Sequence, residues 1–309
     1  MNDVIIVGGG PGGLTAAIYT SRDRFDTILL EKGLCGGLPA TTDLIENYPG
    51  FPDGINGMDL INKFKEQAIR FGTNISEFKE VKRIEPTTKG IRVQTADEEY
   101  NAYAVIVASG SIPKKLNIPG EEEYSGKGVS YCATCDGPLF KDRDVAVIGC
   151  GNSGLQEGES LLKHVRSITF IEFLPYMTAE KILQERLQTS EKTRFLLNHM
   201  LISINGEKFI NSVTVRDRQT EEEKQIEVAG VFIYTGFLPN SKFLEGIVEL
   251  DRLGYIVTNE KMQTSIPGIY AVGDVRSKKV RQIDVACGEG TIAAVSAKDY
   301  IKEQIRKTD

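Results

Sequence analysis

The same nucleotide-loop pattern occurs twice in this chain, and that duplication limits its possible folds more than any other feature. Residues 3–14 read DVIIVGGGPGGL and residues 144–155 read DVAVIGCGNSGL. Each is a short apolar run, then G-x-G-x-x-G, then a segment able to start a helix. The glycines are Gly8, Gly10 and Gly13 in the first copy, and Gly149, Gly151 and Gly154 in the second, where Asn152 and Ser153 fill the variable positions. A second apolar run follows in each copy and ends on an acid: Ile28-Leu29-Leu30 before Glu31, and Phe170-Ile171 before Glu172. Both acids stand 23 positions after the first glycine of their copy. In such a unit the first glycine permits a tight turn and the second lets backbone approach a pyrophosphate. The third lets helix and strand pack closely, and the acid accepts hydrogen bonds from a ribose hydroxyl. A lone glycine motif is equally an ordinary turn of any α/β protein. Two copies with strand, helix and acid in register predict an α/β fold of two Rossmann-like, three-layer dinucleotide-binding domains.

The 309 residues are enough for two cores. Between the copies, residues 79–108 read as short alternating strands closing on Ala104-Val105-Ile106-Val107-Ala108. The Pro- and Gly-bearing stretch from Ser111 to Gly120 reads as a crossover, and Gly236-Phe237-Leu238-Pro239-Asn240 as a second break. Beyond it come short strands and a final helix from about Gly290. The second unit is therefore expected as an insertion, residues 114–243, in a discontinuous domain of residues 1–113 and 244–309.

Net charge is −6, spread along the chain, which argues against nucleic acid or an anionic membrane as the main partner. No stretch approaches the roughly 18 apolar residues of a membrane span. The run Val4-Ile5-Ile6-Val7 is too short, and lacks the basic lead, for a signal-peptide core, so a cytoplasmic location is expected.

Of five cysteines, only Cys132 and Cys135 are closely paired, in Cys132-Ala133-Thr134-Cys135-Asp136. Zinc would need two further ligands at suitable spacing, and the chain offers only His164, His199 and isolated cysteines; no metal site is expected. Two inert buried thiols are the plain alternative. The favoured reading is a reversible dithiol/disulfide, since two intervening residues let the sulfurs meet without closing a large loop. Such a pair needs electrons, and two dinucleotide sites suit a flavin paired with a nicotinamide. Asp136 is the nearest candidate general acid, with a turn carboxylate or helix cap as its simpler reading. Cys35, Cys150 and Cys287 read as packing.

With these residues the chain resembles the low-molecular-weight thioredoxin reductases over essentially its whole length. The matching motifs are Gly8 to Gly13 with Glu31, Gly36-Gly37, Glu46-Asn47-Tyr48-Pro49-Gly50, Ala108-Ser109-Gly110, the C-A-T-C-D sequence, Gly273-Asp274-Val275, and Arg281-Gln282 followed by Ala286. The resemblance implies FAD held by Gly8, Gly10, Pro11, Gly12, Gly13, Glu31 and Lys32, by Gly36, Gly37, Asn47 and Val81, and by Ala108, Ser109 and Gly110. It adds Gly273, Asp274 on the ribitol chain, Arg281, Gln282 near the flavin ring, Ile283 and Ala286. It further implies that Cys135 faces the flavin, that Cys132 attacks the disulfide of thioredoxin, and that the protein is a homodimer.

The second nucleotide site departs from the family. NADPH-using members carry a His-Arg-Arg cluster after the second strand, where this chain has Glu172-Phe173-Leu174-Pro175. A carboxylate there repels a 2′-phosphate and no guanidinium is in place to pair with it; Arg166 reads as a solvated turn residue. NADPH is therefore disfavoured. Glu172, with Gly149, Gly151, Asn152, Ser153 and Gly154, suits the ribose diol of NADH, or electrons arrive from a ferredoxin. The function expected is reduction of thioredoxin or a related dithiol protein. A dithiol oxidase of the same fold and a non-catalytic flavin redox sensor are the alternatives.

Overall fold

The computed structural model describes residues 1–308. Two compact units divide it: Met1–Ile112 with Leu238–Asp309, and Pro113–Phe237.

In the first unit, the strand Asn2–Val7 pairs in parallel with Thr27–Leu30 on one side and with the long strand Glu99–Val107 on the other. Asn74–Ser76 adds a further parallel strand beyond Thr27–Leu30. Glu99–Val107 changes neighbour along its length. Its start pairs antiparallel with Gly90–Gln94, which pairs in turn with Arg83–Thr87, and its end pairs parallel with Ile269–Ala271. Both faces of the central strands are covered. Val4 and Ile6 join Leu14, Ala17, Ala293 and Ala297 in a core on the helical side, whereas Ile5 and Val7 join Ile84, Ile91 and Val93 in a core under the antiparallel meander. Burial on both faces explains why the strand is a continuous apolar run rather than an alternating one.

The C-terminal helix runs Ile283–Thr308, so it begins seven residues before the expected Gly290 and carries Ile283 and Ala286 in its first turns. Glycine there is an interior contact and not a start signal. A Cβ on Gly290 would run into the Gly12 carbonyl oxygen of the helix Pro11–Arg22, so glycine lets the two helices cross closely.

The domain boundary expected between residues 243 and 244 instead falls between Phe237 and Leu238. The Asn240 amide donates to the Gly110 carbonyl (3.0 Å), Ser109 Oγ donates to the Asn240 carbonyl (2.7 Å), and Phe243 packs against the meander core. These contacts tie residues 238–243 to the first unit.

The second unit repeats the plan. Its sheet is wholly parallel in the order Thr193–Leu196, Ser167–Ile171, Asp144–Ile148, Gly230–Ile233, Val129–Ser130. An antiparallel meander, His199–Gly206, Ile210–Asp217 and Glu223–Glu227, forms its own three-stranded sheet. Among the described residues no helix is long and apolar enough to cross a membrane.

Candidate active site

The two glycine loops share one construction. Gly8 and Gly149 have φ of +108° and +104°, a region closed to most side chains. A Cβ on either would meet a backbone carbonyl, that of Ala108 or of Tyr234, while a Cβ on Gly13 or Gly154 would strike the carbonyl of the first glycine of its own loop. The acids are braced alike. Glu31 accepts the Gly9 amide at 2.7 Å and the Gly33 amide at 2.9 Å; Glu172 accepts the Cys150 amide at 2.6 Å and the Leu174 amide at 2.9 Å. Each carboxylate is thus pinned against the loop whose ribose it would face. We expect Gly8→Ala to cost about 1–3 kcal/mol of stability in the first unit and to lower bound FAD, and Gly149→Ala to strain its own loop alone. Thermal unfolding and the flavin-to-protein ratio check this.

The first unit fits FAD. Around Gly10 an added Cβ would meet nothing within 4 Å, and this residue caps the helix Pro11–Arg22 without any side-chain cap. The helix N-terminus therefore opens onto space suited to a pyrophosphate. Beside it lies a cavity of about 330 Å³ lined by Val7, Gly8, Leu30, Lys32, Val81 and Ser109, together with Lys79, Lys242 and Phe243, which the sequence did not single out. At the other end, Asn47 donates to Gln282 at 3.2 Å across 235 residues of chain. Arg281 lies 4.3 Å over the Tyr255 ring, with its Nε buried and without a hydrogen-bond partner. Gly36 and Gly37, both at positive φ, turn the chain beside Gly9 and Gly10.

Asp274 is a largely buried carboxyl on a braced turn. Burial pushes its carboxyl up, while Lys278 and Arg281 pull it back. Its turn is anchored by a residue invisible in the motif: Glu289, from the C-terminal helix, accepts the Gly273 amide at 2.7 Å. The same carboxylate accepts Arg276 at 2.6 Å and Lys278 at 3.0 Å, and Lys278 lies 3.8 Å from Asp274. Ile283 and Ala286 begin that helix, and a Cβ on Gly12 would contact Ala286.

In the second unit, Cys132 and Cys135 form a disulfide with Cα atoms 5.4 Å apart. The pair opens a single helical turn, Ala133–Asp136, whose Cys135 amide points at Cys132 Sγ (3.2 Å). Asp136 accepts a 2.7 Å hydrogen bond from Ser130 Oγ. The Tyr234 hydroxyl accepts the Ala133 amide at 2.9 Å. His164, remote in sequence, packs near Gly137. The remaining cysteines are free thiols; burial pushes Cys35 and Cys150 up to about 12, and Cys287 upward. Among the described residues, no group of three or more His, Cys, Asp or Glu is placed to hold a metal.

At the second nucleotide loop, Asn152 starts the helix Asn152–Leu161 and exchanges two hydrogen bonds with Glu180, at 3.1 and 2.8 Å. A Cβ on Gly151 would sit 3.5 Å from Thr178 Oγ1, and Gly154 and Ser153 lie in the first helical turn. Arg166 is held by Asp144, at the far end of the strand from the loop. The segment after the second strand supplies no guanidinium of its own, but the structure brings Arg218 to it from elsewhere in the chain. This arginine comes from the meander, lies 3.6 Å over the Phe173 ring, and donates to the Phe173 carbonyl (3.0 Å) and to Asn198 (3.3 Å). Only the register of the antiparallel sheet brings residue 218 there, so no local motif could reveal it.

The profile of the pyridine nucleotide-disulphide oxidoreductases matches residues 2–290. Thioredoxin reductase of Bacillus subtilis is 42% identical over 302 residues, 97% of this chain and 95% of the relative. A Clostridium pasteurianum protein described as a 34.2 kDa protein in a rubredoxin operon is 37% identical, covering 97% of both chains. The crystal structure of Lactococcus lactis thioredoxin reductase superposes with a TM-score of 0.96 at 39% identity, over 98% of this chain and all of that one. Whole-length identity, shared fold and a formed C-A-T-C disulfide together place the chain in the pyridine nucleotide-disulphide oxidoreductase family, as a flavoprotein oxidoreductase of the low-molecular-weight thioredoxin reductase type.

Proposed function

We propose that this protein is a homodimeric, cytoplasmic disulfide reductase that passes electrons through FAD to Cys132–Cys135 and on to thioredoxin or a similar dithiol protein. The observation that carries this reading is the disulfide itself, formed beside a carboxylic acid in a chain with an FAD-type glycine loop. Bound FAD would supply the electron pair, held by the glycine loop, Glu31 and the Asp274 turn. The protein's own residues then manage charge. When the S–S bond accepts two electrons, both sulfurs become thiolates; the Cys135 amide favours a thiolate at Cys132, and the Asp136 carboxyl is the group that passes a proton to one sulfur. When Cys132 attacks the partner's disulfide, a mixed disulfide forms and one partner sulfur leaves. Cys135 then displaces the second partner sulfur, which restores Cys132–Cys135 and releases a dithiol.

We further propose NADH or a ferredoxin, rather than NADPH, as electron donor. Glu172 is buried and its two oxygens already accept backbone amides, which favours a ribose diol over a 2′-phosphate. Arg218 lies over Phe173, and its Nη1 is committed to the Phe173 carbonyl and to Asn198. Anaerobic stopped-flow bleaching of the flavin by NADH, NADPH and reduced ferredoxin tests this. One of the first and third is expected to be at least about tenfold faster than NADPH, the scale of one missing hydrogen bond to a charged group. Bleaching by NADPH as fast as by either rival overturns the assignment.

A further inference from the structure

Asp136 is the only carboxylate in the C-A-T-C-D turn, and the structure surrounds it with one unusually constrained partner. Ser130 ends the strand Val129–Ser130, paired to Gly230–Ile233 at the position of Phe232, and is 5% exposed. Its hydroxyl accepts the Cys132 amide at 3.0 Å and donates to Asp136 Oδ2 at 2.7 Å. The Cys132 carbonyl is a poorer acceptor for the same proton at 3.2 Å. A single buried hydroxyl therefore joins the backbone of one redox cysteine to the carboxyl group one residue past the other.

Other neighbours do not offer this service. Tyr234 faces the turn, but its phenol is pushed well above the usual range, first by burial and then by the charges of Glu157 and Asp136, which makes it a poor acid. His164 packs against Gly137, beyond Asp136 in the chain.

We infer that Ser130 is a positioning residue for proton transfer at the cysteine pair, setting the carboxyl of Asp136 in the orientation from which it serves a cysteine sulfur. The inference rests on the reading of Asp136 as the acid. In the forward direction two electrons enter the S–S bond, the bond breaks, and Asp136 loses its proton to one sulfur. In the reverse direction an external dithiol reduces Cys132–Cys135 and leaves as its own disulfide; when the pair's two electrons pass on to bound FAD, the Cys132–Cys135 bond re-forms and Asp136 takes the proton that one cysteine thiol gives up. The hydroxyl of Ser130 is a good donor to the carboxylate state and can turn its lone pairs to the acid state, so it tracks both.

The reverse direction gives a test free of the donor question. Oxidised FAD-loaded enzyme is mixed anaerobically with dithiothreitol, and flavin bleaching is followed over a range of reagent concentrations. Ser130→Ala is expected to lower the limiting rate about tenfold with the half-saturating concentration unchanged, as for loss of orientation rather than of binding. Ser130→Thr, which keeps the hydroxyl, is expected to return it to within about twofold. In an Asp136→Asn background, Ser130→Ala is expected to have no further effect. The inference is overturned if Ser130→Ala bleaches at the wild-type rate, if threonine fails to rescue, or if the two losses multiply in the double variant. Wild-type bleaching by Asp136→Asn alone overturns the acid reading itself, a result distinct from the other three.

Discussion

Serine at position 135 is expected to abolish reduction of a disulfide protein, lowering turnover by more than about a thousandfold, as removal of a covalent redox group does. Cys132 has a partner three residues away and its Cα atom 5.4 Å distant. Cys35 and Cys150 are buried and pushed up to about 12, so they remain neutral thiols at physiological pH. The glycine loop and the Asp274 turn lie in the other compact unit, so Cys135→Ser is expected to retain a full complement of FAD. The measurement is steady-state reduction of oxidised thioredoxin, alongside the flavin spectrum. Retention of a tenth of the activity in a yellow variant would sink the assignment of this pair.

Glu289→Ala is the substitution expected to cost the folded state most, about 3–5 kcal/mol. The Glu289 side chain is 7% exposed and accepts from three donors at once: the Gly273 amide, Arg276 and Lys278. Arg276 and Lys278 are themselves largely shielded, at 15% and 8% exposure. Truncation leaves two cations and an amide in a poorly solvated site, and partial breakage of such a buried network is far more damaging than its replacement as a whole. It also frees the turn that presents Asp274, so FAD should dissociate at lower denaturant concentration than in the parent protein. Urea unfolding monitored by both flavin fluorescence and far-UV circular dichroism separates the two effects. An unchanged midpoint would show that Arg276 and Lys278 find water or other partners.

How much of this was readable in the linear chain depended on the range of the interaction. The two dinucleotide units were legible because their constraints are local. A tight turn needs Gly8 and Gly149 at positive φ, close packing needs Gly13 and Gly154, and the acid must fall at the end of the next strand. The cysteine pair was legible because its two intervening residues suffice to bring the sulfurs together. Errors arose where a local signal had a tertiary cause. Gly290 read as the start of a helix, yet it lies inside one, where its missing side chain admits the Gly12 carbonyl of a neighbouring helix. The inserted unit read as extending to residue 243, but Asn240 and Phe243 bind the first unit through Gly110, Ser109 and the meander core.

By itself, then, the amino-acid order determined which segments form strand, loop and helix in the two nucleotide units, since each rests on steric limits within about 30 residues. It also determined which two cysteines can join. Only the tertiary structure decided which distant side chains complete the sites. Glu289 reaches Gly273 from the last helix, Arg218 reaches Phe173 from the meander, and Ser130 reaches Asp136 because a strand pairing holds it there. Hydrogen bonds and ion pairs of this kind have no period or spacing in the sequence; they exist once sheet register and helix crossing have set their partners a few ångströms apart.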